Sequence, residues 1–218
     1  MPLSSVIGSS SIMQPGVCTS TTRPASPYDG QVIYETDTDK TLVYNGSAWV
    51  FLSTSRANPV GLDLIKTQTI GTAVSSVEVT GAFSSTYDNY LVMVSGGVGS
   101  TNINLRLTLG STATGYSYAG FYAQYSSAGV TGTNTNTATY MDVGYANANA
   151  ISSRIELESP NLEKRTIIRA QATGSATTWF RFDYAGFLDN ATQYTAFTLT
   201  CSTGTITGGT IYVYGYAK

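Results

Sequence analysis

Residues 103 to 109 read INLRLTL, a strict alternation in which Ile103, Leu105, Leu107 and Leu109 point one way and Asn104, Arg106 and Thr108 the other. Successive side chains of a strand leave opposite faces, so this period of two predicts a strand with one face in a core and one in water. The same two-sided text recurs in TIYVYGY, residues 210 to 216. In RIELESPNLEKRTII, residues 154 to 168, Ile155 and Leu157 are set to pair with the strand of Ile167 and Ile168 across the turn Ser159-Pro160-Asn161. Pro160 marks that turn, because a proline has no N–H to give to a ladder.

Working outward from 103 to 109, strands are predicted over Thr67 to Val79 with a break at Gly71, and over Tyr90 to Ser95 and Gly115 to Tyr125. Others follow over Thr137 to Val143, Arg165 to Ala172, Trp179 to Tyr184 and Tyr194 to Thr200. With the segments already quoted this makes roughly ten strands at the spacing of a sandwich. Antiparallel strands with long crossing loops such as AGVTGTNTNTA, residues 128 to 138, point to an all-β, jelly-roll-like antiparallel β-sandwich over residues 58 to 218. That loop has almost no apolar side chain and reads as a mobile surface loop or a contact tip.

Composition agrees. Charged residues are 11% of the 218, while glycine (22) and tyrosine (16) are heavily used, so Ser, Thr and Asn carry most of the surface polarity. Thr, Tyr, Val and Ile suit a pleated sheet, and Gly and Asn suit its turns. The net charge of −2 with scattered Lys and Arg leaves no footprint for a nucleic-acid backbone. No apolar run reaches the roughly 20 residues of a membrane span, and MPLSSVIGSS lacks the features of a signal peptide, so the chain is expected to be made in a cytoplasm. Cys18 and Cys201 form no disulfide framework or metal motif and read as free thiols.

Before residue 58 the text changes. Residues 1 to 27 carry four prolines and no apolar periodicity, which predicts an extended attachment arm. Residues 28 to 57 hold three short strands, Val32 to Tyr34, Thr41 to Tyr44 and Trp49 to Leu52, separated by the turn ETDTDK and the hairpin signal Asn45-Gly46-Ser47. So small a sheet needs outside support, and with no cysteine in it oligomerisation is the expected source.

The stretch RPASPYDGQVIYETDTDKTLVYNGSAWV, residues 23 to 50, resembles a module of tail fibres and other minor structural proteins of tailed bacteriophages. The resemblance is carried by Arg23, Pro24, Pro27, Gly30, Gln31, Tyr34, Glu35, Thr36, Asp37, Tyr44, Asn45, Gly46, Trp49 and Val50. A second phrase, Phe83, Ser84, Ser85, Tyr87, Asp88, Asn89 and Tyr90, is similar to one that opens sandwich domains of phage virion proteins. The resemblance covers about a third of the chain and fades after Gly96. It implies a homotrimeric virion protein with an N-terminal segment attached to other virion proteins and a distal sandwich. Tyr34, Tyr44, Trp49 and Phe51 would then bury against their copies about the trimer axis.

Histidine is absent, which removes the commonest general base and the nucleophile pairs built on it. Two carboxylates would suffice for a glycosidase, but Asp37 and Asp39 lie in a turn, and Glu156, Glu158 and Glu163 alternate with Arg154, Lys164 and Arg165 around a hairpin. The run Glu35 to Asp39 puts oxygens at alternate positions, as a calcium loop does, yet lacks the glycine and the distal glutamate. Asn45-Gly46-Ser47 is formally a glycosylation sequon and fits a hairpin turn better. No catalytic residue, metal ligand or cofactor is expected.

Tyr116, Tyr118, Tyr122 and Tyr125 crowd into GYSYAGFYAQYSS. Rings gathered on one exposed face would stack on sugars of a host receptor; the other reading places them in the core or a trimer seam. The sequence reading is a trimeric tail fibre that attaches a virion to its host, with a capsid decoration (cement) protein as the alternative and a polysaccharide-degrading tailspike as a remote one.

Overall fold

The computed structural model describes residues 15–52, 61–175 and 179–218, all in strands, turns and irregular segments without a helix. Accordingly, no helix among the described residues is long and apolar enough to cross a membrane. The chain is all-β, and it falls into two units divided after Ala57, each described on its own.

The first unit is a four-stranded sheet in sequence order: β1 (Gly16–Cys18), β2 (Val32–Glu35), β3 (Lys40–Tyr44) and β4 (Trp49–Phe51). Its turns use the residues that tolerate a left-handed backbone, Asp39 before β3 and Gly46 between β3 and β4. Asn45 Oδ1 closes the second turn by accepting the N–H groups of Ser47 at 3.1 Å and Ala48 at 2.9 Å. Ile33, Leu42 and Phe51 stand in register on one face; Val17, Tyr34, Val43 and Val50 belong to the other. Ile33 and Leu42 are the unit's only fully buried apolar residues among those described, a core too small to hold a sheet by itself.

This corrects the boundary expected at residue 27. Gly16–Cys18 pairs in parallel with β2, Ser20 binds Asp37, and Arg23 pairs with Glu35, so residues 16 to 27 belong to the small sheet. A three-residue parallel strand has no local turn and no apolar period to announce it. The rest of the expected arm, residues 1 to 14, lies outside the described residues, as does the 53–60 junction.

The second unit begins with β5 (Leu62–Thr69), β6 (Ser76–Val79), β7 (Asn89–Ser95), β8 (Val98–Gly99) and β9 (Ile103–Leu109). It continues with β10 (Tyr116–Gln124), β11 (Val130–Ala138), β12 (Met141–Ala146), β13 (Ile151–Glu158) and β14 (Thr166–Ser175). The last strands are β15 (Trp179–Leu188), β16 (Phe197–Cys201), β17 (Ile206–Thr207) and β18 (Thr210–Tyr216). Twelve of them form two antiparallel layers: eight in the order β5-β18-β7-β13-β14-β15-β10-β11 and four in the order β6-β16-β9-β12. The hairpin from β12 to β13 carries the ladder from one layer to the other through Tyr145↔Ser152 and Ala146↔Ile151. β8 and β17 make a separate short pair.

One core takes alternate residues of both layers: Leu105, Leu107, Leu109, Phe197 and Leu199 from the smaller, Val92, Ile155, Leu157, Ile168 and Val213 from the larger. INLRLTL is buried at each of its four apolar positions. The 154–168 hairpin pairs Leu157 with Ile168 and Ile155 with Ala170 around the Ser159-Pro160 turn. The break at Gly71 separates β5 in the larger layer from β6 in the smaller. Residues 130 to 138, expected in a loop, are strand β11, paired with β10 at the end of the larger layer. Apart from Ala138 at its end, β11 packs neither face on the core, so its Thr-Gly-Thr-Asn alternation has no apolar period, while its threonines still favour an extended chain.

Candidate functional site

The four tyrosines of residues 116 to 125 do not form an exposed face. Tyr116 and Tyr118, on the inward phase of β10, are 0% and 7% exposed and belong to the core. Tyr122 shares that phase and packs edge-on against Phe180, with ring centroids 6.4 Å apart. Tyr125 lies just past β10 on the opposite phase and is 67% exposed, so it alone of the four is placed to meet a large ligand. The reason is the strand period: even positions turn in, and 125 is odd.

Tyr118 also belongs to a half-buried polar cluster. The Tyr118 hydroxyl donates to Asp142 Oδ2 at 3.3 Å, Arg106 Nε stands 3.6 Å from Asp142 Oδ1, and the Arg106 guanidinium lies 4.0 Å from the centre of the Tyr140 ring. Burial pushes the Asp142 carboxyl up, with Arg106 acting in the opposite sense. Burial likewise pushes the phenols of Tyr116 and Tyr184 up to about 12. The Tyr118–Asp142 bond ties β10 to β12.

In the small sheet the four expected seam residues divide between faces. Tyr44 and Trp49 pair across β3 and β4 with ring centroids 5.4 Å apart, on the face of Phe51, whereas Tyr34 projects from the other and its hydroxyl donates to Asp39. Of the four only Phe51 is exposed; the other exposed large apolar side chains among the described residues of this unit are Val17, Tyr28, Val50 and Leu52. The Glu35–Asp39 carboxylates each have a partner: Glu35 takes Arg23 and Thr38, Asp37 takes Ser20, and Asp39 takes Tyr34. Arg23 above all holds the buried Glu35 carboxyl below its ordinary value, and Ser20 does the same for Asp37.

Outward-facing residues of the larger layer make the feature that sequence reading missed. Arg154, Gln171, Asp183 and Phe121 stand in register across β13, β14, β15 and β10. On one side of this row lie Thr173 and Arg181 in register, and at the end of the sheet Trp179 and Tyr125, joined by the Tyr125 N–H to Trp179 C=O bond at 2.9 Å. Two shallow depressions of about 270 and 380 Å³ lie side by side here and share Gln171. The signal was present in the odd positions of GYSYAGFYAQY and WFRFDYAGF, but the period does not say which phase faces water. The face can bind a ligand through donors, acceptors and two rings.

Cys18 is half-buried in the small sheet, and burial of Cys201 in the larger unit pushes its thiol up. Comparison of the chain with known protein families, curated proteins and solved structures finds no match.

Proposed function

We propose that the chain is a non-enzymatic structural protein of a bacteriophage virion, a homotrimeric tail fibre with a jelly-roll body that attaches the particle to the host surface. The observation that carries the attachment reading is the outer face of the larger layer, where exposed rings flank rows of polar side chains in open depressions. Such a surface holds a ligand by many weak contacts, and three copies multiply them.

The jelly-roll reading is supported by strand order. Take β5, β6, β7, β9, β12, β13, β16 and β18 as strands one to eight. They then interleave as 1-8-3-6 in one layer and 2-7-4-5 in the other, with β10–β11 and β14–β15 as inserted hairpins that extend the first layer. The homotrimer is supported by apolar side chains left in water on both units: Val17 and Val50 on one face of the small sheet, and Leu62, Leu64 and Met93 on the outer side of β5 and β7. Attachment of residues 1 to 14 to other virion proteins rests on the resemblance.

Immunogold labelling of intact particles with antibody to residues 61 to 218 tests the reading. Gold at the tail tip or baseplate is the expected result; gold spread over the head would replace it with a decoration protein.

A further inference from the structure

We infer that the outer face of β13, β14, β15 and β10 binds a neutral polysaccharide chain. The inference rests on the attachment reading and names the ligand that attachment would use.

The charges of this face are settled among themselves. Arg154 pairs with Glu156 at 2.9 Å, Arg181 with Asp183 at 3.3 Å, and Arg169 with Glu158, so three arginines meet three carboxylates and the face is formally neutral. No net field selects an anionic or cationic polymer. Hydrogen-bonding capacity remains, because a guanidinium has five N–H donors and a carboxylate about four acceptor sites, of which each ion pair uses only a part. Gln171 Nε2 adds a bond to Asp183 Oδ2 at 2.8 Å, which fixes the amide in the plane between the two depressions. A sugar hydroxyl gives one hydrogen bond and accepts others, so mixed donors and acceptors at fixed positions suit a polyol.

Shape and rings agree with a chain rather than a small molecule or a protein. Four strands at about 4.8 Å spacing carry the Arg154-to-Phe121 row over about 14 Å of open surface. At one side stand Trp179 and Tyr125, 50% and 67% exposed; such rings, with an apolar body and a polar tip, suit stacking on the C–H face of a sugar ring. A protein partner would need a dry apolar centre; here the ion pairs occupy the centre and the rings its margin.

The test is calorimetric titration of the full chain with purified polysaccharides, dextran, mannan, galactan and laminarin as neutral polymers and alginate and polygalacturonate as acidic ones. Saturable binding to a neutral polymer is expected, little changed between about 0.05 and 0.5 M salt. Trp179→Ala and Tyr125→Ala should each weaken it about tenfold, and Gln171→Ala measurably, with the thermal midpoint unchanged. The inference is overturned if no neutral polymer binds, if only acidic polymers bind and salt abolishes it, or if the ring variants bind normally. Tail labelling together with cell adsorption that survives the Trp179→Ala, Tyr125→Ala double variant would remove this site and keep the attachment reading. Gold over the head would remove the attachment reading, and the titration alone would then decide the site.

Discussion

The buried phenol of Tyr116 accepts the backbone N–H of Leu109 at 2.7 Å and gives its own proton to the carbonyl of Thr112 at 3.2 Å. It thereby fastens the start of β10 to the end of β9 with a side chain. Tyr116→Phe keeps the ring and removes the acceptor, leaving a buried amide unpaired. A loss of about 1–3 kcal/mol is expected in urea unfolding; a variant as stable as the parent would show that the Leu109 amide finds another partner.

The same burial sets an alkaline limit. Tyr116 and Tyr184 hold their protons to about 12 in the fold, above the ordinary value of 10.0. Between those values the unfolded chain releases protons that the native chain keeps. Stability from these phenols is therefore complete below pH 10 and is lost as pH rises towards 12. Phenolate absorbance should show a late step coincident with loss of far-ultraviolet sheet signal; full titration of all tyrosines near pH 10 with the fold intact would contradict it.

Gly186 faces Tyr118 where β15 meets β10, and a β-carbon there would stand 2.2 Å from the Ser117 carbonyl oxygen and 2.4 Å from the Tyr118 β-carbon. Neither neighbour is a flexible side-chain end, so the strands must part. Gly186→Ala should cost about 1–3 kcal/mol, read as a fall in the urea midpoint with an unchanged slope; no shift would mean that the two strands can slide.

Much of this was legible in local sequence where a strong local signal exists. INLRLTL, the Asn45-Gly46 turn and the Pro160 turn each carry period or turn chemistry within a few residues, and the fold follows them. β1 and β11 were hidden for the opposite reason: the one pairs in parallel with a distant strand, and the other buries neither face. The sequence left the tyrosines between an exposed face and the core, because a period of two distinguishes two faces without naming the inner one, which is decided by partners such as the Leu109 amide. The outer site was illegible in a different way. Phe121, Arg154, Gln171 and Asp183 come from four strands, and only the register of three ladders puts them in a row.

Acid should loosen the small sheet. Glu35 and Asp37 titrate below their ordinary values in the fold because Arg23 and Ser20 hold their charged forms. A depressed carboxyl contributes stability that is present above its unfolded value and lost as pH falls through the folded one. The loss should therefore begin as pH drops below about 4.5, the ordinary glutamate value, and continue downward. Trp49 fluorescence, sensitive to its Tyr44 neighbour, should change over that range, and in Arg23→Ala the change should move to higher pH. An unchanged transition in Arg23→Ala would remove Glu35 from the account.

The last prediction concerns which face of the small sheet makes the proposed trimer. Arg23, from the segment after β1, reaches Glu35 on the face that holds the buried Ile33 and Leu42, so part of that face has cover from its own chain. The opposite face presents Val17 and Val50, 64% and 37% exposed, around the half-buried Tyr34 and Val43. Burying a valine contributes roughly 1.5–3 kcal/mol when complete, and the two recur in each of three chains. A Val17→Asp, Val50→Asp double variant should therefore sediment as a monomer at micromolar concentration while the larger unit keeps its thermal transition. Phe51→Asp, on the face of Ile33 and Leu42 and itself exposed there, should leave the trimer in place. Dissociation by Phe51→Asp alone would move the seam to the Trp49 face, and a parent chain that sediments as a monomer would end the trimer reading altogether.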